Sequence, residues 1–338
     1  MSKGLCEMSD APRLSARRPA LRLFSQIVCT AFALLASAPA FAQAIVKLRL
    51  GNTTASAVYW PGYVAQRQGF FREEGLIIEE YIVGNPTLVA QQVISNSLDI
   101  GVTTYETLIH ATREKAPISG FAGMLRRYAY SFMVSSKIDR VQDLRGKRVM
   151  LPLPRQLLTQ AFNNYLVANG MKVEDVDQVF DGSSSNRFAA MAAGVVQGAY
   201  LNAPFDLKAA EGGYKKLFDL GEFYPDAGSA LVVARKDWLL KNPETARGFG
   251  RALKKATTWL YDPANRSAAV DVLVADTRVE RAIVDKIYDY MVGQLKPYPL
   301  DARIPPESMQ RIIDLLIQIG DLKPGPKPED YIETAYYP

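Results

Sequence analysis

One half-pattern, helix–glycine–strand–loop–helix–strand, is written twice in this chain, and that repetition limits the fold more than any other feature. The first copy opens with an amphipathic stretch ending Phe70-Phe71-Arg72-Glu73-Glu74 and then Gly75. An apolar run follows, Leu76-Ile77-Ile78, then a loop of small residues, Gly84-Asn85-Pro86-Thr87. A second amphipathic stretch closes on Asn96, and a short strand, Ile100-Gly101-Val102, delivers Thr103 and Thr104. The second copy runs from Leu157 to Asn169 and Gly170, through Val173, Val176 and Val179, to the loop Asp181-Gly182-Ser183-Ser184-Ser185. Its second helix closes on Gly194, and its strand delivers Tyr200-Leu201-Asn202.

Gly75, Gly170, Gly194 and Asn96 stand where helices end, in the left-handed conformation that Gly and Asn tolerate best. A repeated helix–strand order of this kind predicts an α/β fold with a mainly parallel sheet in each copy. Ligands of such sheets bind beyond the carboxyl ends of the strands. Two half-sites then predict one ligand held between two lobes.

The first 42 residues read as a signal peptide. Arg13, Arg17, Arg18 and Arg22 precede an apolar run from Ile27 to Ala38, and Ala40-Phe41-Ala42 supplies small residues for cleavage before Gln43. The run is too short to span a bilayer, and translation starting at Met8 would still leave a complete leader. Both cysteines, Cys6 and Cys29, fall in this segment. The mature chain is therefore expected to lack disulfides, thiolate nucleophiles and a lipid-anchoring cysteine. The leader also holds five of the 40 Lys and Arg and two of the 35 Asp and Glu, leaving the remainder near neutral at +2. Such a balance gives no electrostatic footprint for nucleic acid.

Strands are expected at Val46–Leu50, Ile118–Leu125, Tyr130–Val134, Arg148–Leu151 and Ala230–Val233, followed by an all-helical tail in which Asn242 caps a long helix with Pro243 in its first turn. A strand before the second copy and another after it make the chain cross twice, near Arg126 to Ser131 and Tyr224 to Ser229. The expected division is a first lobe from residues 43–130 and 227–338, with a second lobe, 131–226, inserted between them.

Catalytic signatures are sparse. His110 is the only histidine, and no nucleophile elbow, dinucleotide motif or phosphate loop is present. The chain is read as a non-enzyme with no cofactor and no metal site. Ligand-binding candidates are the hydroxyl and amide residues of the strand-end loops: Thr53, Thr54, Ser56, Asn85, Thr87, Thr103, Thr104, Ser183, Ser184 and Asn202. Tyr59, Trp60, Tyr105 and Tyr128 are candidate ring platforms, with Tyr130 weighed beside them. Arg126 and Arg155 are candidate oxyanion partners, with Arg187 as a third possibility, and Asp206 completes the set. The alternatives stay open at this point, since hydroxyls also cap helices and rings also fill cores. With His110 alone expected to titrate near neutrality, affinity is expected to be flat from about pH 6 to 8.

Several segments resemble one known family. Ala65 through Gly69-Phe70-Phe71 and Glu74-Gly75-Leu76, Leu98-Asp99-Ile100-Gly101-Val102, Asp143-Leu144-Arg145-Gly146-Lys147, Asn202-Ala203-Pro204-Phe205-Asp206, and Trp238 with Asn242-Pro243-Glu244 are similar, in that order, to ABC-transporter substrate-binding proteins of the nitrate/sulfonate/taurine and thiamine-pyrimidine-precursor family. The resemblance implies a type II periplasmic-binding-protein fold, a periplasmic location and a monomer. It also implies capture of a small polar ligand, a sulfonate- or nitrate-like anion or a planar heteroaromatic such as a pyrimidine. The implied partner is an inner-membrane permease with its ATPase. Asn96 replaces the family's usual glycine, and Gln197 stands where an aspartate is common. The synthase branch carries a cysteine-rich signature that the mature chain lacks. An enzyme on the same fold, with Asp206 as general base, and a partner of a membrane sensor are the rival readings.

Overall fold

The computed structural model describes residues 45–338 apart from Asp226, and the side chains of Leu220 and Glu222 are left aside. The leader, its cysteines and the cleavage site lie outside the described residues.

Two five-stranded sheets carry the fold. The first is built from β1 (Val46–Asn52), β2 (Leu76–Ile82), β3 (Ile100–Thr103), β4 (Ile118–Leu125) and β10 (Ala230–Arg235), in the order β2-β1-β3-β10-β4. The second is built from β5 (Tyr130–Val134), β6 (Arg148–Leu151), β7 (Asp177–Phe180), β8 (Gly198–Asn202) and β9 (Lys215–Asp219), in the order β7-β6-β8-β5-β9. The two orders coincide, as 2-1-3-5-4, when the second sheet is counted from β6 and β5 is taken last. In each, one strand runs against the other four: β10 is antiparallel to β3 and β4, and β5 is antiparallel to β8 and β9. The chain passes from the first sheet to the second between β4 and β5, and returns between β9 and β10.

Helices leave the carboxyl ends of the parallel strands. The helices are α1 (Trp60–Arg67), α2 (Phe70–Glu73), α3 (Pro86–Ile94), α4 (Tyr105–Arg113), α5 (Leu157–Ala168), α6 (Ser184–Ala192) and α7 (Phe205–Glu211). The amphipathic stretch before Gly75 breaks in two at Gly69, whose φ of 79° stops α1 and caps α2. Asn242 precedes the long helix Pro243–Tyr261 as expected, but its side chain does not cap it. The Asn242 amide instead donates backwards to the Trp238 carbonyl, closing the preceding turn.

Side chains of β10 show why the sheet is buried on both faces. Ala230, Val232 and Ala234 join a core with α1 and the helices Pro243–Tyr261 and Arg266–Thr277. Leu231 and Val233 point the other way, into a core continuous with Leu108, Leu157, Phe162 and Leu316. Each such fully buried aliphatic or aromatic side chain contributes about 1.5–3 kcal/mol. A third, smaller core of Met133, Met191, Val196, Leu201 and Ala209 covers the far face of the second sheet. Among the described residues no helix is long and apolar enough to cross a membrane.

Candidate functional site

Parallel strands end at one edge of each sheet, and helices begin there, so helix amino termini collect between the lobes. A small cavity of about 50 Å³ lies at this junction. Pro86 opens α3, Thr104 caps α4, Gln156 immediately precedes α5 and Ser184 opens α6, and all four line the cavity. Four helix dipoles thus present their positive ends to one space.

The first lobe supplies Asn52, Thr53, Thr54 and Ser56 from the end of β1, and Thr103 from β3. Asn52 is fixed on both sides: its Nδ2 donates to Glu80 (2.8 Å) and its Oδ1 accepts from the Thr53 amide (2.8 Å). The Thr103 hydroxyl donates to the Pro86 carbonyl (2.9 Å), tying β3 to the start of α3. The second lobe supplies Tyr130, Gln156, Gly182, Ser184, Arg187 and Asn202, while Tyr128 and Ser229 come from the two crossings. Two buried polar atoms of this wall, Gln156 Nε2 and Asn202 Oδ1, have no hydrogen-bond partner among the described residues.

Among the described residues, Arg187 is the only charged one in the wall. It is 1 % exposed, and its guanidinium is held by neutral acceptors: Nε donates to the Tyr200 carbonyl (2.7 Å), Nη1 to the Asp181 carbonyl (2.6 Å) and Nη2 to Ser184 Oγ (2.7 Å). Burial lowers its pKa to about 10, against the opposing pull of Tyr130 and Asp181, so the group stays protonated at neutral pH. Three of its five N–H groups are engaged by the protein.

The lobes touch around the cavity. The Ala57 amide donates to the Ala203 carbonyl (3.1 Å), and the same Ala57 carbonyl accepts from Tyr298 OH (2.6 Å). Gly182 presses against Asn85 so closely that a Cβ there would lie 2.3 Å from the Asn85 Cβ. Lys286 reaches Glu211 (2.9 Å) across the same boundary.

Of the residues expected at the site, Thr53, Thr54, Ser56, Thr103, Thr104, Tyr128, Ser184 and Asn202 line the cavity. The rest lie outside its wall. Tyr59 and Trp60 are fully buried beneath the first sheet. Tyr59 meets Tyr63 edge-on, and Trp60 Nε1 donates to the Ala269 carbonyl (3.0 Å), because the turn entering α1 directs both rings into the core. Tyr105 is buried with Gly228 against its ring. Asn85 caps α3 through the Leu88 amide (2.8 Å), and Thr87 sits part-exposed on that helix. Arg126 donates to the Lys296 carbonyl in a separate groove, and Arg155 pairs with Asp321. Ser183 bonds Ser185 Oγ (2.7 Å), and Asp206 is buried at the start of α7, accepting from the Leu207 amide.

Asn52, Gln156 and Ser229 belong to the wall and were not foreseen. The signal for Gln156 was its place just before the strongly periodic helix α5. The expectation of a single titrating group is also corrected. Burial pushes the Glu106 carboxyl up to about 7 despite hydrogen bonding from its own amide, Thr104 and Tyr128, and it raises Asp206 to about 7 as well. His110 moves the other way, lowered by burial while Asp321, 3.2 Å from its Nε2, opposes the shift.

Relatives place this geometry. The chain is 26% identical over 226 residues to YtlA of Bacillus subtilis, which is named as a binding protein, the match covering 64% of this chain and 67% of YtlA. It is 23% identical to the formylaminopyrimidine-binding protein of Halalkalibacterium halodurans, over 65% of this chain and 67% of that one. It is 25% identical to a 4-amino-5-hydroxymethyl-2-methylpyrimidine phosphate synthase of Saccharomyces cerevisiae, over 60% and 64%. Among solved structures, the periplasmic nitrate-binding protein of Synechocystis superposes with a TM-score of 0.70 at 15% identity, covering 84% of this chain and 83% of that one. The alkanesulfonate-binding protein of Xanthomonas axonopodis pv. citri superposes with a TM-score of 0.65 at 19% identity, covering 85% and 96%. The fold is thus that of the periplasmic binding proteins. The NMT1/THI5-like family model matches residues 57–266, and the chain belongs to that family.

Proposed function

We propose that this protein is the solute-binding component of an ABC importer and that its ligand presents a small oxyanion, of sulfonate or nitrate kind, to the cavity between the lobes. The observation that carries this reading is electrostatic. A buried guanidinium and four helix amino termini face one space whose wall holds no carboxylate. A cation is repelled by that arrangement and a neutral ring gains less from it, whereas an oxyanion accepts charge-assisted hydrogen bonds from the N–H groups of Arg187, and others from hydroxyls such as Ser56 and Thr104 and from Gln156 Nε2.

Size supports the same choice. An engineered apolar cavity that binds benzene measures about 150 Å³, and the space here is about 50 Å³. The inner cavity by itself therefore suits a small anion better than a planar pyrimidine. The protein is read as a receptor rather than a catalyst, acting as a monomer in the periplasm and passing its ligand to a membrane permease with its ATPase. Residues 126–129 and 224–229 are proposed as the hinge between a first lobe of 43–130 with 227–338 and a second lobe of 131–226. The remaining wall residues, with Asn202 Oδ1 as an acceptor, set the ligand's orientation.

Titration calorimetry on the purified protein with nitrate, methanesulfonate and a neutral aminopyrimidine tests this. The anions are expected to bind with micromolar constants, about −8 kcal/mol, and Arg187→Met is expected to weaken them at least a hundredfold. Binding of the aminopyrimidine alone, or unchanged anion binding in the variant, would overturn the reading.

A further inference from the structure

A second cavity, of about 270 Å³, adjoins the first through two shared side chains: Tyr128 and Tyr130 line both. Their ring centroids are 6.3 Å apart at 59°. The two are held differently. Tyr128 is 2 % exposed and its hydroxyl donates to Glu106 Oε2 (3.4 Å). Tyr130 starts β5, is only part-buried, and no hydrogen bond fixes its hydroxyl among the described residues. Tyr130 is therefore the less constrained ring of the two, with Arg187 as its charged neighbour, and turning it aside would join the two spaces.

The lining of the second cavity differs from that of the first. Tyr224 comes from the second crossing, and Tyr290 and Leu295 from the segment Tyr288–Leu295; together they give it an aromatic and aliphatic side, which Arg127 and Asp219 border. Its carboxylate, Asp219, is held by Ser131 Oγ (2.6 Å) and Lys216, and Arg127 lines the same wall, so the wall carries no excess negative charge to attract a cation. Together the two cavities hold about 320 Å³, which enters the ordinary range of ligand sites, about 300–1,000 Å³. The inner cavity alone falls far below that range.

We infer that the ligand is an oxyanion bearing an aromatic or hydrocarbon tail, its head on Arg187 and its tail passing Tyr130 into the tyrosine-lined chamber at the hinge. This rests on the oxyanion reading above and adds to it a second subsite with its own chemistry. Aromatic walls reward a tail with offset or edge-to-face contacts at little entropic cost, because tyrosine rings have few torsions to freeze. The chamber is bounded by both crossings and by Leu295 at the end of the π-helical segment Tyr288–Leu295. A tail lodged there touches the hinge as well as the head's site, and so couples tail recognition to lobe position.

The test compares methanesulfonate with benzenesulfonate by calorimetry on the full protein and on Leu295→Trp, which fills the chamber without touching the inner cavity. Benzenesulfonate is expected to bind the natural protein at least tenfold more tightly. In Leu295→Trp that advantage should vanish while methanesulfonate stays within twofold. The ratio of the two affinities within one variant is insensitive to general damage, and Leu295→Ala, which enlarges the chamber, should keep the advantage. Methanesulfonate binding that depends on Arg187, with no gain from the ring and no effect of Leu295→Trp, would overturn the second subsite and leave the oxyanion reading standing. If neither sulfonate binds, both fall together.

Discussion

Arg155 of the second lobe reaches Asp321 of the first, Nη2 to Oδ1 at 2.9 Å, and so bridges the lobes at the rim rather than holding ligand within. Arg113 and His110 converge on the same Asp321. Arg155 is more than half exposed, and exposed ion pairs are worth about 0–1 kcal/mol and are screened by salt. Arg155→Ala should therefore weaken methanesulfonate binding by about two- to fivefold in dilute buffer. The ratio of natural to variant affinity should approach one at about 1 M salt. Calorimetry at the two salt concentrations checks this, and a loss that persists at high salt would mean Arg155 contacts the ligand.

Gly182 is a wedge point. Its backbone is outside the left-handed region, so alanine costs its own loop little strain. With the lobes together, however, the new methyl group would sit 2.3 Å from Asn85 Cβ. Overpacking of this kind costs about 1–3 kcal/mol. The Gly182→Ala protein should melt within about 2 °C of the natural one yet bind anions at least fivefold more weakly. X-ray scattering at saturating ligand should give a larger radius of gyration. Unaltered affinity and radius would show that Gly182 and Asn85 need not meet for ligand to be held.

Stability should fall as pH rises through the acid-to-neutral range. Burial raises Glu106 from 4.5 to about 7 and Asp206 from 3.8 to about 7. Between those limits the folded protein holds protons that the unfolded chain has released, so unfolding becomes easier with each pH step and levels off above about 7. The loss is on the order of 3–4 kcal/mol per carboxyl at most. Melting temperature measured from pH 5 to 8 should decline, and Glu106→Gln or Asp206→Asn should each flatten part of the slope. A melting temperature that rises across this interval would contradict the burial of both groups.

Trp60→Ala separates core from cleft. The indole is fully buried and bonded to the Ala269 carbonyl, so truncation should cost about 3–5 kcal/mol. Below its melting range the variant should keep anion affinity within twofold. A large loss of affinity with an unchanged melting curve would place the ring at the ligand instead.

Local punctuation made the fold readable. Gly75, Gly170 and Gly194 adopt φ values of 70°, 72° and 73°, and Asn96 follows at 64°, because a helix that stops and reverses into a strand needs a residue tolerant of that region. The strand-end hydroxyls were readable for a related reason: strand direction fixes which loops face the cleft, whatever their side chains. Aromatic residues offered no such guide. Tyr59 and Trp60 directly follow Val58 of the cavity wall, and a rotation of one residue about the helix axis decides whether a ring meets cavity or core. Arg187 lies within α6, where an arginine is ordinarily solvated, and only tertiary packing of β8 against that helix turns it inward. Glu106 was hidden by the same limitation, since burial of one helix face against the opposite lobe leaves no trace in the sequence.

The two sheets differ in how much of the chain each must wait for. Every strand of the second sheet lies within the single run from β5 to β9. The first sheet is interrupted: β4 pairs with β10 and with no other strand, so it has no neighbour until residues 230–235 have been made. Pairing across so long a separation is slow relative to local contacts, and chains are synthesised from the amino terminus. The inserted lobe therefore completes its hydrogen-bond ladders first. The lobe that begins the sequence finishes last, closed by a strand threaded between two others already in place.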